Sequence, residues 1–322
     1  MARIAAANLA NYAEIRFKQV LNINNIIMPD HPIIFLPFRD TNQQNFNGPD
    51  RSNKIFCADI DKLNHSVAVI ARLDGLVKDS GVCMEIGYAY SQSKPIGVLI
   101  TDFIWEGCSR GCSEWIIDPV LQNMATVIHH APEHNKCHGD YIHTMNMHEM
   151  SAIQTFVNEF ISDGIITIQS PPHVPPNHSI YIDIMGGRYS WAREQQHYLM
   201  HQLQQAGYLV SASTRYSSDY ITINLTDMAE MDIINCAQAD IVVISGDSLD
   251  CDPGSSAIFG LAVGLSKYCI LIHTSSTLFT GAGGQQMLVN LMIEQASNKV
   301  CNTVESVVAH IQSLTPQQYA RK

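Results

Sequence analysis

Two carboxylates lie six positions apart in a segment with the pattern of a helix start. Asp79 stands two positions before Gly81, and Glu85 follows between Met84 and Ile86. A carboxylate before a helix accepts hydrogen bonds from its free N–H groups, whereas a charge between apolar residues is costly unless it has a partner or a task. The pair therefore indicates acid–base or nucleophilic chemistry. Taken alone, this spacing is more often a helix cap followed by a solvated glutamate.

A repeat within the chain helps to decide between a catalytic pair and an ordinary helix cap. Positions 173 apart carry the same residue type at scattered polar and glycine sites. The matched pairs are Asp59 and Asp232, Asp74 and Asp247, Asp79 and Asp252, Gly81 and Gly254, Gly87 and Gly260, Ala89 and Ala262, Lys94 and Lys267, and Thr101 and Thr274. The second copy has Ile258 where Glu85 stands, so the scaffold does not require the glutamate and its presence indicates function. The chain is predicted to be a tandem duplication.

The elements that position these residues follow from apolar runs and from one proline-rich segment. Residues 170–177 contain four prolines, which are excluded from helix interiors and central strands, so the chain divides there. In each half, β-branched runs such as residues 67–71 and 241–244 alternate with amphipathic stretches, a pattern typical of βαβ units and a parallel sheet. The expected domains are residues 1–168 and 179–322, joined by a linker at 169–178.

The composition excludes several classes of protein. The 322 residues carry 19 basic and 30 acidic side chains, a net charge of -11, which argues against binding to nucleic acid. No apolar stretch reaches about 18 residues, so no membrane span is expected. The N-terminus lacks the pattern of a signal peptide, and the cysteines are expected to be reduced thiols, which favours a cytoplasmic protein.

One cluster of cysteine and histidine residues is a candidate metal site. Its members are Cys108, Cys112, His129, His130, Cys137 and His138. Three residues separate the first two cysteines, which is looser than a zinc knuckle, and no second close pair of cysteines follows. No metal site is expected.

The segment around the acidic pair resembles the signature of the nucleoside 2-deoxyribosyltransferase family. The residues that carry the resemblance are Leu73-Asp74-Gly75, Asp79-x-Gly81, Glu85-Ile86-Gly87-Tyr88-Ala89 and Lys94-Pro95. Residues 34–40, 101–103 and 290–292 are similar to further segments of that family. The resemblance covers most of the first half and, more faintly, the second. It implies the α/β class, with two flavodoxin-like domains that each have a mainly parallel sheet and helices on both faces.

The same resemblance implies an activity and roles for individual residues. The reaction would transfer 2-deoxyribose from a 2′-deoxynucleoside to a free nucleobase, in nucleotide salvage and without a cofactor. Glu85 would attack C1′ to form a covalent deoxyribosyl-enzyme, Asp79 would hold the base and help to protonate the leaving nitrogen, and Asp59 would orient the site. The residues implied in substrate binding are Asn8, Arg39, Asp40, Asp74, Gly81, Asn290 and Met292. Purine and pyrimidine bases both stay open as substrates.

Family members complete each site with an Asn-x-Met segment from a neighbouring subunit. In this chain Asn290 and Met292 lie in the second half, and Asp118 stands at the equivalent place of the first half. The second half is therefore predicted to be a degenerate partner, so that the two halves pack as a pseudo-dimer within a homo-oligomer. A methionine on an amphipathic helix is equally typical of a core position.

Two other functions stay open. Residues 185–190 resemble the Gly-Arg loop of deoxynucleoside-monophosphate N-glycosidases, and a glycine-rich turn with an arginine suits a phosphate. Water would then intercept the glycosyl-enzyme, and the reaction would be hydrolysis. The same residues are equally typical of an ordinary turn before a helix. The third interpretation is a non-catalytic nucleotide-binding module, against which the intact acidic pair argues.

Overall fold

The computed structural model describes residues 9–16, 48, 50–75, 77–102, 117–131, 141–164, 169–173, 179–185, 189–213, 215, 225–247, 250–275, 279–280 and 286–315. By their contacts, the residues form two compact units. The first unit comprises Met1–Leu76, Pro95–Ile104 and Ala125–Ile168, and the second comprises Val77–Lys94, Trp105–Met124 and Gln169–Lys322.

Helices and parallel strands alternate along the chain. The helices are α1 (Arg51–His65), α2 (Ser80–Ser91), α3 (Pro119–Met124), α4 (Tyr141–Glu159, continued by a π-helical turn at Phe160–Gly164), α5 (Ser190–Gln205), α6 (Leu225–Gln238), α7 (Pro253–Gly264), α8 (Leu291–Ala296) and α9 (Val304–Ser313). The strands are β1 (Val69–Arg72), β2 (Ile96–Ile100), β3 (Val127–His130), β4 (Ser179–Asp183), β5 (Leu209–Ala212), β6 (Ile241–Ser245), β7 (Tyr268–Ile272), β8 (Phe279–Thr280), β9 (Gln286–Met287) and β10 (Lys299–Cys301). Residues 9–16 are also helical.

The first unit contains a parallel sheet in the order β1-β2-β3. The turn of helix at the end of α4 lies against it, and the rings of Phe156 and Phe160 stack with centroids 6.1 Å apart. A Cβ on Gly97, in the middle of β2, would lie 2.8 Å from the Phe156 ring. A side chain at this position would therefore push the helix off the sheet, which explains a glycine in a central strand.

The second unit contains a five-stranded parallel sheet in the order β10-β7-β6-β4-β5. Alternate strand residues such as Ile180, Ile182 and Val243 share a core with α5 and α9. The residues between them, such as Tyr181 and Val242, are also fully buried, since α6 and α7 contact the strands as well. Burial on both faces explains why these strands are continuous apolar runs. A short antiparallel pair, β8 with β9, completes the described strands of this unit.

Within the second unit, α2 and α7 cross at two glycines. A Cβ on Gly87 would lie 1.8 Å from the carbonyl oxygen of Ala257, and a Cβ on Gly260 would lie 1.9 Å from that of Met84. The two contacts are equivalent, because Gly87 and Met84 correspond to Gly260 and Ala257 at the spacing of 173 residues. The glycines thus let two corresponding helices meet backbone to backbone in a locally two-fold arrangement.

These sheets confirm the expected fold class, α/β with two flavodoxin-like domains. β6 begins at the predicted strand of residues 241–244, whereas β1 begins two residues later than the apolar run of residues 67–71, whose first residue, Val67, is 82% exposed. Residue 168 is the last residue of the first unit and also of the predicted first domain. Residues 77–94 and 105–124, which fall within the predicted first domain, belong to the second unit. The domain limits of 1–168 and 179–322 stay a prediction. None of the helices in the described ranges is long and apolar enough to cross a membrane.

Candidate functional site

The candidate site is built on the first turn of α2, in the second unit. Asp79 is the N-cap residue, and its Oδ1 accepts hydrogen bonds from the N–H groups of Gly81 at 2.8 Å and Val82 at 3.1 Å. The predicted helix cap is thus present. Asp79 is nevertheless exposed, so the same carboxylate is accessible to a ligand.

Asn290 contacts this cap from the second half of the chain. Its Nδ2 donates a hydrogen bond to Asp79 Oδ1 at 3.1 Å, and its Oδ1 accepts one from the N–H of Met292 at 3.0 Å. Asn290 therefore caps α8 and contacts the cap of α2 at the same time. A Cβ on Gly81 would lie 2.7 Å from Asn290 Oδ1, so this approach requires a glycine at position 81. Met292 is buried, as a core residue would be.

Glu85 lies on the second turn of α2, six positions after the cap. It is half-buried, while its neighbours Met84 and Ile86 are fully buried. At the corresponding place in α7, Ile258 is fully buried too. The two helices therefore present a carboxylate in one copy and only hydrocarbon in the other, on backbones with the same cap.

Asp59 lies on α1, in the first unit, and is 6% exposed. Its Oδ1 has no hydrogen-bond partner among the described residues. Burial raises the pKa of this carboxyl from 3.8 to about 6. A buried carboxyl with a raised pKa is a common feature of functional sites, although structural groups can have perturbed pKa values as well.

Asp74 lies at the end of β1, in the first unit, where it joins two strand ends. Its Oδ1 accepts a hydrogen bond from the N–H of Thr101 at 2.6 Å, and its Oδ2 accepts one from the Thr101 hydroxyl at 2.9 Å. Arg72 donates to the same carboxylate and also to Glu149. Burial opposes ionisation of Asp74, but the bonds from Thr101 and Arg72 outweigh it and lower the pKa.

The second copy repeats this arrangement. Asp247 corresponds to Asp74, and it accepts hydrogen bonds from the hydroxyl of Thr274 at 2.8 Å and the N–H of Ser275 at 2.9 Å. Because the same bonds occur in the copy that has no glutamate, they serve to hold the loop in both copies. The substrate contact of Asp74 stays a prediction, and these bonds do not require it.

In the second copy, a buried arginine lies among the carboxylates next to the N-cap of α7. Arg215 is fully buried, and its Nη1 donates to Asp232 at 2.6 Å and to Asp183 at 3.0 Å. Its Nη2 lies 3.7 Å from Asp252, the N-cap of α7. Burial raises the pKa of Asp232, although the charge of Arg215 opposes this effect. The second copy therefore has a sealed cluster of charges where the first has an exposed cap.

The second copy also shows the counterpart of the contact between Asn290 and Gly81. A Cβ on Gly254 would lie 2.3 Å from Asp118 Oδ1, and Asp118 caps α3 through the N–H of Val120 at 2.9 Å. Each copy thus provides a helix cap that contacts the D-x-G turn of the other. The sequence identified Asp118 and Asn290 as equivalent positions. It did not show that each of these side chains lies against a glycine, Gly254 or Gly81.

Several predicted site residues lie outside the described residues. They are Asn8, Arg39 and Asp40, together with Gly186, Gly187 and Arg188 of the candidate phosphate loop. Cys108, Cys112, Cys137 and His138 also lie outside them. Over the part of the chain that the structure describes, His, Cys, Asp and Glu residues form no group of three that could hold a metal ion.

Sequence analysis missed Asp250 and Arg215. Asp250 binds Ser80, the first residue of α2, through both of its carboxylate oxygens. Neither residue has a counterpart of the same type at a spacing of 173 residues, so the matched pairs did not include them. The one available signal for Asp250 was the self-comparison, which places a carboxylate in the second copy opposite Val77 in the first.

Comparison with known protein families gives a match in the first half of the chain. Residues 8–113 match the family model described as nucleoside 2-deoxyribosyltransferase, which confirms the resemblance of the first half. The matched range contains Asp59, Asp79 and Glu85 and ends well before Asn290. No curated protein matches the chain.

Proposed function

We propose that this chain, whose residues 8–113 match the family model of nucleoside 2-deoxyribosyltransferases, transfers 2-deoxyribose between nucleobases through a covalent bond to Glu85. One observation carries the proposal. Glu85 follows the exposed N-cap residue Asp79 on α2. The corresponding helix α7 also begins with an aspartate N-cap, Asp252, but this residue is buried, and Ile258 stands in place of the glutamate. Loss of the glutamate in the copy whose cap is buried is expected if the carboxylate does the chemistry.

In the first step, Glu85 would attack C1′ of the deoxynucleoside. The bond from C1′ to the base nitrogen breaks as the bond from C1′ to the Glu85 oxygen forms, and Asp79 gives a proton to the leaving base. The hydrogen bonds from Gly81, Val82 and Asn290 all reach Asp79 Oδ1, so Oδ2 is the oxygen assigned to the proton.

In the second step, a nitrogen of the incoming base attacks C1′ and displaces Glu85. The proton of the incoming base passes to Asp79, which restores the starting state. Two displacements at the same carbon retain the β configuration. A sugar without a 2′-hydroxyl suits this reaction, because no electron-withdrawing oxygen opposes the positive charge that develops at C1′.

The second half would serve as the partner that completes the site. The contact of Asn290 with Gly81 and Asp79 supports this role, and so does its counterpart between Asp118 and Gly254. The tandem duplication, the pseudo-dimer and a cytoplasmic, homo-oligomeric enzyme of nucleotide salvage belong to the same proposal. Asp59 would orient the site from its helix.

The experiment is incubation of the protein with deoxyinosine and free adenine. Formation of deoxyadenosine indicates transfer, release of free deoxyribose indicates hydrolysis, and no product indicates a binding module. Glu85→Gln should abolish both products and the deoxyribosyl adduct that intact-mass spectrometry would detect on the wild-type chain. An active Glu85→Gln variant would refute the assignment of the nucleophile.

A matched pair of variants tests the proton donor. Asp79→Asn should lower kcat/KM by about 10²–10⁴-fold, the range for loss of a general acid. Asp252→Asn removes the corresponding carboxylate from α7 and should leave kcat/KM of the folded protein close to that of the wild type. Equal losses in both variants would contradict the role of Asp79.

A further inference from the structure

Asp250 contacts the start of α2 from the segment between β6 and α7. The hydroxyl of Ser80 donates to Asp250 Oδ1, and the N–H of Ser80 donates to Oδ2 at 3.1 Å. Ser80 is fully buried, and it directly follows Asp79. A carboxylate from the second half of the chain therefore holds the residue next to the exposed cap.

This contact belongs to only one of the two copies. At the spacing of 173 residues, Val77 corresponds to Asp250, and Val77 is 51% exposed. The additional carboxylate thus occurs at the helix that carries Glu85 and has no counterpart at the helix that carries Ile258. Glu85 and Asp250 are two differences between the copies, and both lie at the same helix.

Holding Asp250 next to Asp79 is electrostatically unfavourable. Burial raises the pKa of Asp250, and the negative charge of Asp79 raises it further, while hydrogen bonds from Ser80 and Cys251 oppose the shift. A carboxylate that served only as a helix cap would be more stable farther from a second acid. The position is understandable if the geometry of the Asp79 turn matters.

We propose that Asp250 is a positioning residue, which fixes the turn of Asp79 and Ser80 so that Asp79 meets the nucleobase in one orientation. This inference rests on the proposed function. Asn290 forms a hydrogen bond with Asp79, and Asp250 forms hydrogen bonds with the next residue, Ser80. The second half of the chain therefore holds the turn at two successive positions. Displacement of a catalytic group by about 1 Å can cost about 10²-fold in rate, which is the scale of effect expected here.

Two substitutions of Asp250 separate positioning from charge. Asp250→Ala removes both bonds to Ser80 and should lower kcat/KM for transfer from deoxyinosine to adenine by about 10–10²-fold, mainly in kcat. Asp250→Asn should restore most of the rate, because its amide can accept from the N–H of Ser80 and donate to the hydroxyl.

Asn298→Ala is the matched control. Asn298 Oδ1 accepts a hydrogen bond from the N–H of Cys269 at 2.7 Å, at the amino end of β7. Its loss removes a bond of the same kind from the same unit, so the melting temperature should fall while kcat is retained. Hydrogen–deuterium exchange of a peptide spanning residues 77–86 should become faster in Asp250→Ala than in Asn298→Ala.

The outcomes separate this inference from the proposed function. If the wild-type chain gives neither product, the proposed function fails. Hydrogen–deuterium exchange of residues 77–86 then still tests whether Asp250 holds Ser80 in place. If the wild type is active and Asp250→Ala has unchanged kcat and KM, the positioning role is wrong. An equal loss of kcat in Asp250→Ala and Asn298→Ala would also overturn it.

Discussion

The side-chain amide of Asn290 donates a hydrogen bond to Asp79 Oδ1 at 3.1 Å, across 211 positions of the chain. One asparagine thereby connects the caps of two helices, α8 through Met292 and α2 through Asp79. The contact is possible because residue 81 is a glycine, since any Cβ there would overlap the Asn290 side chain. The acidic turn of the first copy is thus supported by a residue of the second.

Substitution of Asn290 tests this support. Asn290→Asp keeps an oxygen that can cap α8 but replaces the donor to Asp79 with a negative charge. We expect a small change in stability and a fall in kcat/KM of about 10-fold or more, because the like charge displaces Asp79. Steady-state kinetics and thermal unfolding measure the two effects. Asn290→Ala should lose both functions, and unchanged kinetics in both variants would remove Asn290 from the site.

Asp59 gives a prediction about pH and stability. Its pKa is raised from 3.8 to about 6, so the protonated form is favoured in the folded state. The stability that protonation contributes is present below about pH 4 and is lost as the pH rises through about 6. Asp59→Asn resembles the protonated form, and should increase the free energy of unfolding by about 3 kcal/mol above pH 7.

The gain in Asp59→Asn should disappear below about pH 4, because the wild-type carboxyl is then protonated as well. Urea unfolding across this range measures the difference. The same variant should lose activity if Asp59 orients the site, so that stability and activity change in opposite directions. A gain in stability that is the same at every pH would contradict the ionisation of a buried Asp59.

The crossing of α2 and α7 gives a prediction about packing. A methyl group at residue 87 would overlap the Ala257 carbonyl at 1.8 Å, so Gly87→Ala must separate the helices. We expect the free energy of unfolding to fall by about 1–3 kcal/mol, although alanine has a higher intrinsic helix propensity than glycine. Gly207→Ala is the contrasting variant, since a Cβ at Gly207 meets no atom within 4 Å and only its positive φ is strained. Gly87→Ala should also weaken activity, because α2 carries Glu85.

The repeat predicted much of this arrangement. It aligned Asp74 with Asp247 and Thr101 with Thr274, and the structure shows the same bond from the threonine hydroxyl to the aspartate in both pairs. The strands were predictable because a parallel sheet buried on both faces leaves continuous apolar runs. The cap at Asp79 was predictable because capping depends on local spacing alone.

The contacts of Asp250 and Arg215 were not predictable in the same way. Asp250 reaches Ser80 across 170 positions, and no local pattern encodes such a contact. Arg215 is a charged residue by sequence and therefore expected at the surface, yet it is fully buried. Its burial depends on three aspartates, Asp183, Asp232 and Asp252, that converge only after the chain has folded.

Arg215 leads to a final prediction about the second copy. Arg215→Met fills much of the same volume but leaves the buried carboxylates without their cation. We expect a loss of about 3–5 kcal/mol in the free energy of unfolding near pH 8, as for other broken buried ion pairs. The loss should be smaller near pH 5, because the pKa of Asp232 is already raised and the carboxyl can take a proton instead.

Arg215→Lys is the control that keeps the positive charge but not the planar guanidinium group. Lysine retains the cation but lacks the planar fork with which Arg215 reaches Asp183 and Asp232 together, so we expect a loss between those of the wild type and Arg215→Met. Urea unfolding of all three proteins at both pH values measures the differences. Equal losses in the two variants, or a loss in Arg215→Met that does not depend on pH, would show that packing rather than charge balance explains the buried arginine.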